Sequence, residues 1–127
     1  MIRGIRGATT VAGDNKDEIL KATEELMRKI EEQNGLSPEH ISHVMITVTD
    51  DLTATFPARS LRDMPGYQFV PVMCAREIPV PGSLPFCIRL MVTAETDRGQ
   101  KDVIHIYLNE AEKLRPDLSL TKGNRQR

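Results

Sequence analysis

Hydrophobic spacing changes several times along the chain, and each change predicts an element. From Ile2 to Val11, β-branched and small residues mix and run into the polar turn Ala12-Gly13-Asp14-Asn15, which predicts a first strand and its exit. Side chains alternate along a strand, so Arg6 shares a face with Gly4 and Ala8 while Ile5 lies on the other. Ile19, Leu20, Thr23, Leu26, Met27 and Ile30 then recur at three- and four-residue spacing, the period of an amphipathic helix. Asn15 with Glu18, or Asp14 with Asp17, offers a capping-box-like start, and Asn34-Gly35 offers a left-handed stop.

Ser37-Pro38-Glu39 predicts one helical turn with proline at its first position. Val44, Ile46 and Val48 alternate with His43, Met45 and Thr47, giving a second strand that ends at Asp50-Asp51. Pro57 to Met64 is helix-compatible and stops at Pro65-Gly66. A third strand is expected from Tyr67 to Cys74, with Pro71 at an edge or a bulge, followed by a proline-rich loop from Ile78 to Pro85. Cys87 to Thr96 predicts a fourth strand, Val103 to Leu108 a fifth, and Glu110 to Leu114 one helical turn.

This order implies an α+β fold, a mixed β-sheet of about five strands covered on one face by one long helix. In strand four, Ile88, Leu90 and Val92 should face that helix, with Cys87, Arg89, Met91 and Thr93 turned away. Ile104, Ile106 and Leu108 should likewise oppose His105 and Tyr107. The second face is too apolar to be simply wet and too polar to be a core, which fits an interface between subunits.

Length and composition narrow the possibilities. With 127 residues and 39% apolar content, the expectation is a single domain over 1–120 with a mobile polar tail over 121–127. A formal net charge of −1 argues against a nucleic-acid or acidic-membrane binder. Eleven arginines against six lysines favour bidentate capture of an anionic small ligand. No stretch has the length of a membrane span or the form of a signal peptide, so the expected compartment is the cytoplasm, with Cys74 and Cys87 as free thiols.

Arg89 is the residue out of place, a guanidinium inside the apolar run Cys87-Ile88-Arg89-Leu90-Met91-Val92-Thr93. It cannot lose its proton, so its strand must offer it an anion. The histidines His40, His43 and His105 lie in no catalytic or metal motif, and Gly4-Ile5-Arg6-Gly7 lacks the length and lysine of a phosphate loop. No metal and no cofactor are implied. What remains is a set of arginines, Arg6, Arg59, Arg62, Arg89 and Arg115, with Glu77, Cys74 and Tyr107 as polar companions.

These residues fall into a collinear pattern: Arg3-Gly4-Ile5-Arg6-Gly7-Ala8-Thr9-Thr10, Phe56-Pro57-Ala58-Arg59 with Arg62, Val70-Pro71-Val72 with Cys74 and Glu77, Cys87-Ile88-Arg89, Tyr107-Leu108, and Leu114-Arg115-Pro116-Asp117-Leu118-Ser119-Leu120. The pattern resembles the monofunctional AroH-type chorismate mutases. The resemblance implies a homotrimeric pseudo-α/β-barrel with active sites in clefts between subunits and chorismate as substrate. It implies that Arg89 meets the ether oxygen and a carboxylate, Arg6 a carboxylate, Glu77 and the Cys74 region the ring hydroxyl, and Tyr107 the pyruvyl side chain. Val72 and Met73 belong to the same binding stretch. Phe56, Ala58, Arg59 and Arg62 are implied to come from the neighbouring subunit, and Leu114 and Arg115 to close over the site. Arg59 stands where the family has lysine and Met73 where it has threonine, changes that bear on substrate affinity. A trimeric ligand sensor without turnover and a deaminase-like trimer are the competing readings.

Overall fold

The structure, a computed structural model, describes residues 1–114. The expected tail and Arg115 lie outside the described residues. Helix α1 (Lys16–Asn34) begins where Asn15 Oδ1 accepts the Glu18 N–H at 3.0 Å, and it ends where Gly35 takes the left-handed conformation, φ 62°. Both ends are as the cap residues predict. Its buried side, Ile19, Leu26, Met27 and Ile30, packs on a sheet of β1 (Ile2–Thr10), β2 (Ile41–Val48), β3 (Val72–Arg76), β4 (Cys87–Glu95) and β5 (Ile106–Tyr107). A short helix, α2 (Ala58–Arg62), packs against α1 and β3. Single 3₁₀ turns occupy Pro38–His40 and Asn109–Lys113.

The strand order is β3-β2-β4-β1-β5. β4 is antiparallel to both β1 and β2, whereas β3 is parallel to β2 and β5 parallel to β1, so the sheet is mixed as expected. Ile5, Val44, Ile46, Ile88, Leu90 and Val92 form the helix-facing core. Gly7 lets the helix come down onto the sheet, because a Cβ there would stand 2.6 Å from Ile30 Cδ1 and 3.2 Å from Leu26 Cδ1. The alternation expected for β4 holds: Ile88, Leu90 and Val92 are buried while Arg89 and Met91 are exposed on the opposite face.

Two strands differ from expectation. β3 starts at Val72 and runs to Arg76, so Tyr67 to Pro71 lies outside it. Tyr67 is instead a buried anchor whose phenol donates to Glu31 Oε2 at 2.6 Å, tying the turn after α2 to α1. Burial first, and then the hydrogen bond to that carboxylate, push the phenol well above the ordinary tyrosine value.

β5 is two residues long where Val103 to Leu108 was expected. The reason lies at the end of α1. Buried Asn34 donates from Nδ2 to Ile104 O at 2.9 Å and accepts the Ile104 N–H on Oδ1 at 2.7 Å. Its side-chain amide thus imitates a neighbouring strand and removes Ile104 from the ladder. Replacing Asn34 with Ala should cost about 2 to 4 kcal/mol, since both Ile104 backbone groups lose their partner. Chemical denaturation measures this; a loss well below 1 kcal/mol would mean that water replaces the amide.

Candidate active site

Side chains that share a face also share cross-strand rows, and one row builds the site. Reading across the sheet, Ala75 pairs with Thr47, Thr47 with Arg89, Arg89 with Ala8, and Ala8 with Tyr107. Arg89 and Tyr107 are therefore two strands apart, roughly 10 Å, with only a methyl group between them. Arg6 sits two residues from Ala8 on the same face of β1, next to Met91 in the adjoining row. The outcome is a cleft of about 320 Å³ lined by Arg6, Ala8, Thr47, Arg89, Tyr107 and Leu114, with Met45 and Met91 beside them. That volume lies at the low end for small-molecule sites.

Arg89 does find an anion within its own chain. Its Nε lies 3.6 Å from Glu77 Oε2, and Thr47 Oγ1 donates to that same oxygen at 2.7 Å. The Glu77 N–H continues the β2–β3 pairing to Val48 O at 2.8 Å, which sets the carboxylate just beyond the end of β3. The guanidinium is nearly half exposed, so this ion pair contributes little, at most about 1 kcal/mol, and leaves Arg89 able to engage a ligand. The Arg89 charge and hydrogen bond also act on the Cys87 thiol, opposing the burial that pushes that thiol up.

Leu114 reaches the cleft from the turn that follows β5. Asn109, at φ 55°, donates from Nδ2 to Thr9 Oγ1 at 3.1 Å and to Thr10 O at 3.3 Å, anchoring that turn on the end of β1. Tyr107 is buried against Ala8 and Ala111.

The remaining site residues read from the sequence gather elsewhere. Cys74 pairs with Ile46, so its side chain points to the helix side of the sheet, where the Ala58 backbone and the Arg62 charge reach its sulfur. Burial nonetheless pushes its thiol up. Val72 shares that face, while Met73 is exposed on the opposite one. Phe56 is 71% exposed just before α2, which carries Ala58 and the exposed Arg59 and Arg62. Cys74 therefore stands with Ala58 and Arg62, across the sheet from Glu77 and Arg89, rather than beside Glu77.

Sequence reading missed the roles of Thr47 and Asp14, and it read Ala8 as a small neighbour of Arg6 without its place beside Arg89. Thr47 carries no motif and becomes a site residue only through strand register. Asp14 pins the loop that leads to Phe56: its Oδ1 accepts from the Thr53 and Ala54 N–H groups at 2.9 and 3.0 Å, and its Oδ2 from Thr53 Oγ1 at 2.7 Å. The Thr53 hydroxyl is the main cause that holds this carboxyl below the ordinary aspartate value.

The family model for chorismate mutase type I matches residues 2–118. The chorismate mutase AroH of Bacillus subtilis is 50% identical over 123 residues, which is 97% of each chain. That of Thermus thermophilus is 51% identical over 119 residues, 93% of this chain and 97% of its own. A solved chorismate mutase from Clostridium thermocellum superposes with a TM-score of 0.84 at 46% identity, over 87% of this chain and 97% of that one.

A depressed carboxyl contributes stability that is present above its unfolded value and lost as pH falls through its folded one. The Asp14 contribution should therefore begin to fall away below about pH 4 and be lost as pH drops through its lower folded value. Denaturant midpoints measured from pH 5 downwards should fall more steeply for the wild type than for Asp14→Asn; parallel curves would remove Asp14 from the acid response.

Proposed function

The chain belongs to the type I chorismate mutase family and converts chorismate to prephenate, and we propose that it does so in a site shared between subunits of a homotrimer. The observation that carries this reading is the sheet itself, which stands between the cleft of Arg6, Arg89, Glu77 and Tyr107 and the group formed by Ala58, Arg62 and Cys74. One chain presents these two groups on opposite faces, so a single ligand can meet both only if a second copy brings its α2 edge to the cleft. Phe56, Ala58, Arg59, Arg62, Val72 and Cys74 then come from one subunit, and the cleft residues, with Met73 on their face, from the other. The uncovered face supports the packing: Met73, Met45 and Met91 form one exposed cross-strand row that runs up to Arg6. The family resemblance supplies the number three.

The reaction is a one-step intramolecular rearrangement, in which the ether C–O bond breaks while the new C–C bond forms and no proton needs to move. The protein must hold a flexible dianion in its compact conformer and place fixed positive charge where the ether oxygen gains negative charge. Arg89 suits the second task because its fork is already oriented by Glu77, and Thr47 in turn fixes Glu77. Arg6 holds a carboxylate, Tyr107 the pyruvyl side chain, and Glu77 the ring hydroxyl. Leu114 lines the cleft, and Arg115, which the resemblance also assigns to the site, lies outside the described residues.

The family match to residues 2–118 supports one catalytic domain over 1–120. Among the described residues, no helix is long and apolar enough to cross a membrane. Cys74 and Cys87 are both free thiols, which fits a reducing compartment such as the cytoplasm.

Arg89→Lys should lower kcat roughly 100-fold or more, because a point charge replaces a planar, oriented fork. Chorismate consumption measured on the purified chain checks this, and a fully active Arg89→Ala would end the electrostatic mechanism. The same assay separates an enzyme from a sensor, which would release chorismate unchanged. The shared site is tested by mixing. Subunits carrying Arg89→Ala and subunits carrying Arg62→Ala, each nearly inactive alone, should regain a substantial fraction of activity when dissociated and reassembled together. Activity no higher than the sum of the two would place both arginines in one chain's site. Native mass measurement should show three subunits.

A further inference from the structure

Residues two apart on a strand direct their backbone groups to the same edge. Ala8 O accepts the Leu108 N–H at 2.9 Å, so Arg6, like Ala8, addresses β5 and not β4. Continued at the same register, the parallel ladder would offer the Arg6 N–H the carbonyl of Ile104. Asn34 already holds that carbonyl. The Arg6 N–H instead donates to Nδ1 of the His105 ring at 2.9 Å. A nitrogen that accepts from an N–H must be bare, so the imidazole carries its proton on Nε2.

We propose that His105 is a positioning residue for substrate binding, its ring nitrogen replacing the strand acceptor taken by Asn34 and fixing the β1 backbone where Arg6 and Tyr107 face one ligand. This rests on the reading of Arg6 as a substrate-carboxylate contact. β5 comprises only Ile106 and Tyr107, and the pairing of Gly7 with Ile106 engages the Arg6 carbonyl but leaves the Arg6 N–H without a strand acceptor. The His105 ring supplies that acceptor, holding the Arg6 N–H against the chain that leads into Tyr107. A carboxylate contact is made in ground and transition states alike, so its loosening raises KM more than it lowers kcat.

The test uses two amides of different reach. His105→Asn places an oxygen where Nδ1 stands and can accept from Arg6; His105→Gln places its oxygen one bond further out. With the full-length enzyme and chorismate, the Gln variant should raise KM roughly five- to ten-fold, the equivalent of one hydrogen bond, with kcat within about two-fold. The Asn variant should stay within about two-fold of wild type in both. In an Arg6→Ala background the difference between Asn and Gln should vanish, because the group being positioned is gone. Equal KM values for the Asn and Gln variants would overturn the proposal, as would a Gln effect confined to kcat. A KM gap that persists undiminished in an Arg6→Ala enzyme whose own KM is raised would overturn it alone. An Arg6→Ala enzyme with unchanged KM would remove the carboxylate contact itself, and the proposal with it. Independently of any variant, the imidazole ¹⁵N spectrum at neutral pH should show Nδ1 bare, and the opposite tautomer would refute the proposal.

Discussion

The close seat of α1 on β1 commits the sheet to one covered face, and the rest of the architecture follows from that commitment. Because Gly7 has no side chain, Ile30 and Leu26 lie directly on the strand, and Ile5, Ile88, Leu90 and Val92 fill the layer beneath the helix. Period-two alternation then leaves Arg6, Ala8, Met45, Thr47, Arg89 and Met91 with no helix above them. A sheet covered on one side by one helix has room for chemistry on the other.

On that open face the charges are arranged for binding more than for stability. The Arg89–Glu77 pair is long and partly hydrated, so it adds little to folding, yet it orients the fork at the centre of a cross-strand row. Thr47 holds the carboxylate and Ala8 keeps the space beside the guanidinium empty. A rearrangement that moves no proton needs this kind of site, one with fixed charge and restricted volume in place of a titrating base. Asn34 belongs to the same design at a distance. By ending the β5 ladder early it leaves the Arg6 N–H to a ring nitrogen for its partner.

Much of this could be read from residues alone. Asn15 and Gly35 bound α1 as cap chemistry dictates, and the apolar period identifies the buried sides of α1 and β4. Arg89 stands out because a permanent cation in an apolar run demands a partner. The two strand errors share one cause, competition from outside the local window. Tyr67 looks like a strand residue, but burial and the Glu31 carboxylate draw it into an anchor. Val103 to Leu108 looks like a full strand, but the Asn34 amide occupies its backbone. Thr47 was invisible as a site residue because a threonine acquires meaning only from what stands opposite it, and the place of Ala8 between Arg89 and Tyr107 likewise came only from register.

Sequence by itself determined which residues are apolar, where α1 begins and ends, which side chains share a face, and which cation lacks a local partner. These depend on spacing and on the chemistry of near neighbours. The tertiary structure decided the rows: that Thr47, Arg89, Ala8 and Tyr107 stand in line, that Glu77 bends back to Arg89, and that Cys74 points away from both. Register between strands distant in sequence is set by the summed packing of a whole layer against α1, and no local window contains that sum.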